Sequence, residues 1–273
     1  MSENTLKTTL RRLFFVPTCA ACKTRLDPIV KETELNHGLP CLCDKCLPIF
    51  HRTAAQMCHT CGKIAGECSC MPLKNTFTQP SIPSLFFYHP NDRGNASKAI
   101  YTFKHKKYID LCRFFSAELA PKLTNLTSLL DIEPKNCIFT YIPRTDKALR
   151  QHGFDQGKLL AEGLCELTGG NCVLPLLVRV SGKEQKKLSH KERQKNATAS
   201  IFANESRQAL NGKAKNFEEL FSGKTVILVD DIITTGASVK RGISELKRIG
   251  VKTVLVASIA RCEIKKKSEK AGI

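Results

Sequence analysis

Two adjacent carboxylates, Asp230 and Asp231, stand directly after the apolar run Thr225 to Val229, and the small and hydroxyl residues Thr234-Thr235-Gly236-Ala237-Ser238 follow them. An apolar strand running into such a string and then into a helix places the acid pair at the carboxyl edge of an open α/β sheet, where ligands of such folds bind. The loop offers backbone N–H groups, hydroxyls and a helix N-terminus in one place, a cradle for a single phosphate. Gly236 lets the backbone come close. Carboxylates beside such a cradle repel phosphate unless they serve another part of the ligand, and vicinal sugar hydroxyls are donors that carboxylates accept from. A ribose 5-phosphate satisfies both halves. An isolated Asp-Asp pair would more simply cap a helix; the thirteen-residue string from Val226 to Ser238 favours the ligand. No Gly-x-x-x-x-Gly-Lys-Ser/Thr and no Gly-x-Gly-x-x-Gly occurs, which sets aside the P-loop and dinucleotide readings.

Cysteine supplies a second chemistry. Nine of the 14 cysteines lie between Cys19 and Cys70, and the pairs Cys19-x-x-Cys22, Cys43-x-x-Cys46 and Cys58-x-x-Cys61 with Cys68-x-Cys70 give eight candidate thiolates. Each close pair can bite one ion at about 2.3 Å, and eight ligands fill two tetrahedral zinc sites. The simplest grouping is Cys19, Cys22, Cys43 and Cys46 in one site and Cys58, Cys61, Cys68 and Cys70 in the other. An interleaved grouping is the alternative, and Cys41 is a ninth candidate able to replace Cys43. Closed four-thiolate sites leave no position for water, so the zinc is expected to be structural. A thioredoxin-like reading of one pair lacks the surrounding βαβ pattern. Cys112, Cys137, Cys165, Cys172 and Cys262 are scattered mostly through apolar runs, and no catalytic role is expected of them.

The elements that must position these groups alternate along the chain. Strands are expected at Ser84 to Tyr88, Cys137 to Ile142 (ended by Pro143), Leu174 to Val178, Thr225 to Val229 and Thr253 to Ala260. Helices are expected at Asn95 to His105, Tyr108 to Leu119 and Gln156 to Leu167, and after Ser238 with Val239, Ile243 and Leu246 on one face and Gly250 as the stop. This predicts an α/β fold, a mostly parallel sheet flanked by helices, preceded by a small metal-held module. Pro80-Ser-Ile-Pro83 reads as a linker, so the expected division is 1–80, 81–262 and a basic tail 263–273. The net charge of +18 lies mainly beyond residue 80, with 33 basic and 19 acidic side chains there against 10 and 6 before it, which points to a polyanionic partner. Apolar runs fall far short of the roughly 20 residues that span a bilayer, and residues 1–16 lack the apolar core of a signal peptide. A cytoplasmic protein without membrane insertion is the expectation.

Two basic stretches bear on the polyanion. The turn after Ile142 carries Arg144, Lys147 and Arg150 on the carboxyl edge, where they could neutralise a diphosphate. The polar stretch Lys183 to Asn196, with Lys187 and Arg193, could fold over it as a lid. Ordinary solvated loops are the alternative for both.

The string from Val226 to Ser238 resembles the signature of the type I phosphoribosyltransferases. The likeness extends to the ComF (competence-associated) branch through the N-terminal cysteine pairs, Tyr88, Lys104, Pro143-Arg144, Arg150, Gly153-Phe154-Asp155-Gln156, and Gln185, Leu188, Arg193 and Asn196. It covers Cys19 to about Arg261. It implies that Asp230 and Asp231 hold the ribose hydroxyls of phosphoribosyl pyrophosphate (PRPP), that Thr234, Thr235, Gly236, Ala237 and Ser238 hold its 5-phosphate, and that Mg2+ accompanies it. The chain departs from the family where His152-Gly-Phe-Asp155-Gln replaces the frequent Arg-Gly-Phe-Asn-Gln, one cation fewer and one carboxylate more. No pocket motif identifies an acceptor. Two functions follow: a Mg2+-dependent phosphoribosyltransferase, or a PRPP-binding adaptor in DNA uptake that contacts single-stranded DNA or DNA-uptake proteins.

Overall fold

The computed structural model describes residues 16–27, 33, 36–55, 83–87, 94–180, 200–205 and 216–262. Helix α1 (Cys46–Ala55) follows the first cysteine pairs, and β1 (Phe86–Phe87), α2 (Asn95–His105) and α3 (Ile109–Leu129) come next. Then follow β2 (Cys137–Tyr141), α4 (Asp146–His152), α5 (Gln156–Thr168), β3 (Cys172–Val173), β4 (Leu177–Arg179), β5 (Ile201–Ala203), α6 (Phe217–Phe221), β6 (Thr225–Ile233), α7 (Ala237–Arg248) and β7 (Thr253–Arg261). Among the described residues, five strands form one sheet in the order β1-β7-β6-β2-β3, every pair parallel. The remaining two, β4 and β5, pair antiparallel beside it.

Alternate strand residues sort into two packed layers. Phe139, Ile227, Val229, Leu255, Ala257 and Ile259 meet α1, α2, α3 and α5 on one face, while Ile138, Val226, Leu228 and Val256 meet α6, α7 and the β4–β5 pair on the other. Gly163 of α5 sits directly over Ser116 of α3, where any Cβ would collide with the serine side chain. The first layer is continuous with the N-terminal module: Cys19, Ala20, Leu26, Leu42, Leu47 and Phe50 belong to the same buried cluster as Phe86, Phe103, Phe114 and Phe115.

Differences from the expected elements have local causes. Helix α3 runs ten residues past Leu119, through Pro121, because Leu123 and Leu126 extend its buried face. The strand expected at Leu174 to Val178 gives way to two short ones: β3 ends before it, at Val173 in the main sheet, and β4 starts only at Leu177, with Pro175, which has no N–H to donate, in the stretch between them. Strand β6 continues four residues beyond Val229. Helix α4 was expected as a loop; it is a short helix capped by the Thr145 hydroxyl, which accepts from the Ala148 amide at 3.2 Å.

Candidate functional site

Strand β6 outruns its neighbour on one side only. Cys137 to Tyr141 pair with Thr225 to Val229, the Ile142 amide donates to the Val229 carbonyl at 2.9 Å, and there the pairing ends, because the next amide on that edge, that of Arg144, donates to the Asp155 carboxylate instead. On the other side β6 stays paired with β7 out to Ile233 opposite Arg261. The step opens a crevice of about 240 Å3, lined among others by Pro143, Arg144, Asp155, Gln156, Arg179, Asp230 and Asp231. The acid pair therefore lies on the extended strand, not in a loop after it. Its carboxylates accept from their own chain, Asp230 from the Asp231 amide at 2.9 Å and Asp231 from the Ile232 amide at 2.7 Å. Burial, then the neighbouring Asp231, push the Asp230 carboxyl well above the usual carboxylate range.

Among the described residues, three cations face this pair. Lys104, at the end of α2, brings its Nζ to 3.9 Å from Asp231. Arg144 donates through Nη2 to the Lys104 carbonyl at 2.7 Å and through its amide to Asp155 at 3.0 Å, with its guanidinium 5.6 Å from the Phe154 ring centre. Arg179, on β4, donates to the Pro143 carbonyl at 2.9 Å. Burial pulls both arginines below their usual range, and the field of the carboxylates opposes it: Asp231 and Asp155 at Arg144, Asp230 and Asp155 at Arg179. Gln156 donates to the carbonyls of Phe103 at 3.1 Å and Lys104 at 2.6 Å. Its Oε1 and the Nη1 of Arg144 are enclosed without a hydrogen-bond partner among the described residues.

Beyond Ile233 the chain turns through Thr234 and Thr235, both exposed, to Gly236 at φ +71°, a left-handed conformation that glycine adopts without a Cβ clash. Helix α7 follows it, with Gly236 as the N-cap, no side-chain cap and no acidic residue in its first turn. Among the described residues, a long contact from the Ala237 amide to the Thr235 hydroxyl, 3.4 Å, is what occupies this end. Ala237 and Ser238 are half-buried beside it. The turn is thus an uncapped helix N-terminus next to an acid pair.

Of the basic residues expected here, Arg144 lines the crevice, whereas Arg150 is exposed on α4 and does not. Lys187 and Arg193 lie outside the described residues, as do Cys58, Cys61, Cys68 and Cys70. Arg179 was missed; its only signal was a charge at the end of an apolar strand. Lys104 and Gln156 entered the sequence reading as points of likeness, without a role.

The first cysteine set comes together. The sulfurs of Cys19, Cys22, Cys43 and Cys46 all lie within 4.8 Å of one another, Cys22 and Cys43 at 3.6 Å, a spacing that fits the edges of a tetrahedron around an ion about 2.3 Å from each. The cluster can hold a metal such as zinc. N–H groups already point at two of the sulfurs, Cys43 N at Cys19 (3.4 Å) and Asn95 Nδ2 at Cys46 (3.3 Å), as thiolate ligands require. Cys41 does not join: it is 1% exposed in the shared core, and burial pushes its thiol up.

Residues 155–272 match the phosphoribosyl transferase domain family. No curated protein matches the chain. Among solved structures, a hypoxanthine phosphoribosyltransferase from Staphylococcus aureus is 13% identical with a TM-score of 0.31, over 57% of this chain and 69% of that one. A purine phosphoribosyltransferase from Pyrococcus horikoshii is 16% identical with a TM-score of 0.29, over 55% and 81%. The allosteric regulatory enzyme of purine biosynthesis is 19% identical with a TM-score of 0.32, over 58% of this chain but only 30% of that one. Among the described residues, no helix is long and apolar enough to cross a membrane.

Proposed function

We propose that the protein is a ComF-like phosphoribosyltransferase that binds PRPP with Mg2+ in the crevice beside β6. The observation that carries this is the juxtaposition of an acid pair, an uncapped helix N-terminus and three facing cations at one step of the sheet. Asp230 and Asp231 take the ribose hydroxyls, whose donors relieve two carboxylates now crowded together. Thr234 to Ser238 take the 5-phosphate. Arg144 and Arg179 take the diphosphate, with Lys104 at the boundary between sugar and diphosphate. Mg2+ accompanying PRPP would lie beside the acid pair Asp230 and Asp231 and would supply positive charge against the leaving diphosphate. The chain's own residues hold the ribose while pyrophosphate leaves the anomeric carbon; Arg144 and Arg179 meet the charge that builds on it. The four-thiolate site is proposed to carry structural zinc, with Cys58, Cys61, Cys68 and Cys70 as a second set. Such ligands fit a reducing cytoplasmic setting. Residues 1–80 and 81–262 are proposed as the zinc-binding and PRPP-binding parts.

Titration with PRPP by calorimetry, with and without Mg2+, tests the reading: wild type binds, and the double variant Asp230→Asn/Asp231→Asn binds at least about 100-fold more weakly, as loss of two charge-assisted hydrogen bonds dictates. Absence of Mg2+-dependent binding by wild type refutes it. Pyrophosphate release assayed over a panel of nucleobases then reads transfer.

One observation favours the adaptor reading alongside it. The rings of Tyr101, His105, His152 and Phe154 follow one another at 4.4, 5.6 and 6.5 Å, ending against Arg144, and Tyr101 is 64% exposed. Lys106, Lys107, Lys147 and Arg150 are exposed on the same stretches of chain. Rings interleaved with cations suit stacked bases on a phosphate backbone. Salt-dependent binding of single-stranded DNA, weakened by Tyr101→Ala, supports this reading; no binding at low salt removes it.

A further inference from the structure

Helix α2 touches both the cysteine cluster and the crevice. At its start Asn95 donates to the Cys46 sulfur at 3.3 Å. Two turns on, the buried Thr102 hydroxyl donates to the carbonyl of Ala20, between Cys19 and Cys22, at 2.7 Å. Lys23, the residue after Cys22, closes the same contact by donating to the Ala20 carbonyl at 2.7 Å and to the Thr102 hydroxyl. Two residues beyond Thr102, the Lys104 carbonyl receives Arg144 and Gln156, and the Lys104 ammonium faces Asp231. A cysteine ligand, a knuckle carbonyl and three crevice side chains are thus tied to one helix of 11 residues.

We propose that α2 is the physical link through which metal at Cys19, Cys22, Cys43 and Cys46 sets the affinity of the crevice for diphosphate, with Thr102 and Gln156 as positioning residues. Bound metal fixes the knuckle that carries Ala20. The Ala20 carbonyl then fixes Thr102 and the last turn of α2, and that turn fixes Arg144, Gln156 and Lys104 against the acid pair. Without the metal, four thiol groups have no common centre, the knuckle loosens, and the Lys104 carbonyl no longer holds Arg144 over the crevice. The coupling runs both ways by linkage, so occupancy of the crevice tightens the metal site by the same factor. The inference rests on the crevice being an anion site, as proposed above.

The test uses the full-length, zinc-loaded chain and Mg2+-pyrophosphate as the probe. Removing zinc with a zinc-selective chelator is expected to weaken pyrophosphate binding by roughly 5- to 150-fold, the usual span of coupling between two sites. Hydrogen exchange should rise in 95–105 and 142–156 while 225–248 keeps its protection. Thr102→Val preserves the branched shape but removes both hydroxyl contacts; with zinc still bound, it should weaken pyrophosphate by at least about 5-fold and expose the same two segments. Pyrophosphate should in turn slow zinc transfer to the chelator in wild type and not in Thr102→Val. Unchanged exchange in 142–156 after zinc removal overturns the proposal, and so does a zinc-loaded Thr102→Val protein indistinguishable from wild type. If zinc-loaded wild type binds no pyrophosphate, the anion-site reading fails on its own and the exchange data still decide the link. Should zinc removal unfold the whole chain, the Thr102→Val arm decides.

Discussion

At Asp230 the chemistry of the crevice and the stability of the fold pull in opposite directions. Burial and the adjacent Asp231 raise its carboxyl pKa above the ordinary value of 3.8, so the folded state binds a proton that the unfolded chain has already released. The stability linked to this group is therefore fully present below pH 3.8 and is lost as pH rises through the raised value. Asp230→Asn removes the enclosed charge and is expected to stabilise the unliganded protein at pH 7 by on the order of 1 kcal/mol while weakening PRPP binding. That advantage shrinks towards pH 4, and urea unfolding at the two pH values measures it; a variant less stable than wild type at pH 7 contradicts the sign. The acid pair was readable because its neighbours in sequence are also its neighbours in the site. Arg179 and Lys104 were not, since nothing local distinguishes a cation that folds back onto a carboxylate from one that meets water.

Among the elements, α7 does two jobs. Its first turn is the proposed phosphate cradle, and its far half grips β5: the buried Glu245 accepts from the Ala203 amide at 3.1 Å and pairs with Arg241 at 2.8 Å and Arg248 at 3.0 Å, while Arg241 also donates to the Ile201 carbonyl at 3.0 Å. Burial works to raise the Glu245 carboxyl, but the Ala203 amide and the two arginines prevail and hold it below its ordinary 4.5. Its contribution is present above pH 4.5 and is lost as pH falls through the lowered value. Glu245→Gln is expected to cost about 1.5 kcal/mol at pH 7, the lower end for charged hydrogen bonds because both arginines are partly exposed, and clearly less at pH 3. Thermal unfolding at both values is the check; an equal loss at the two would place the effect in packing instead. The apolar positions Val239, Ile243 and Leu246 made α7 legible in the sequence. The role of Glu245 was not, because β5 is three residues long and has no periodicity to announce a partner.

Across the whole molecule, the cysteine module and the sheet share one interior. Phe50 of α1 lies 5.7 Å from Phe86, 5.2 Å from Phe114 and 5.9 Å from Phe115. His37 and His51, from the N-terminal part, both reach Glu118 of α3. Phe50→Ala should therefore cost about 3–5 kcal/mol and lower one common transition, with zinc release and loss of helical signal coinciding on heating. Separate transitions would mean that the two parts melt independently. The parallel sheet was legible from the alternation of apolar runs; the joined interior was not, because periodicity reports which face is buried and says nothing of what buries it. The step in the sheet has one more consequence. A strand that outlasts its partner is ordinarily an invitation to another chain. In β6 the carboxylates of Asp230 and Asp231 occupy the first amides past the step, where β2 no longer runs alongside. A sugar phosphate lying there would be a guest strand of a single residue, lodged where the protein's own backbone stops short.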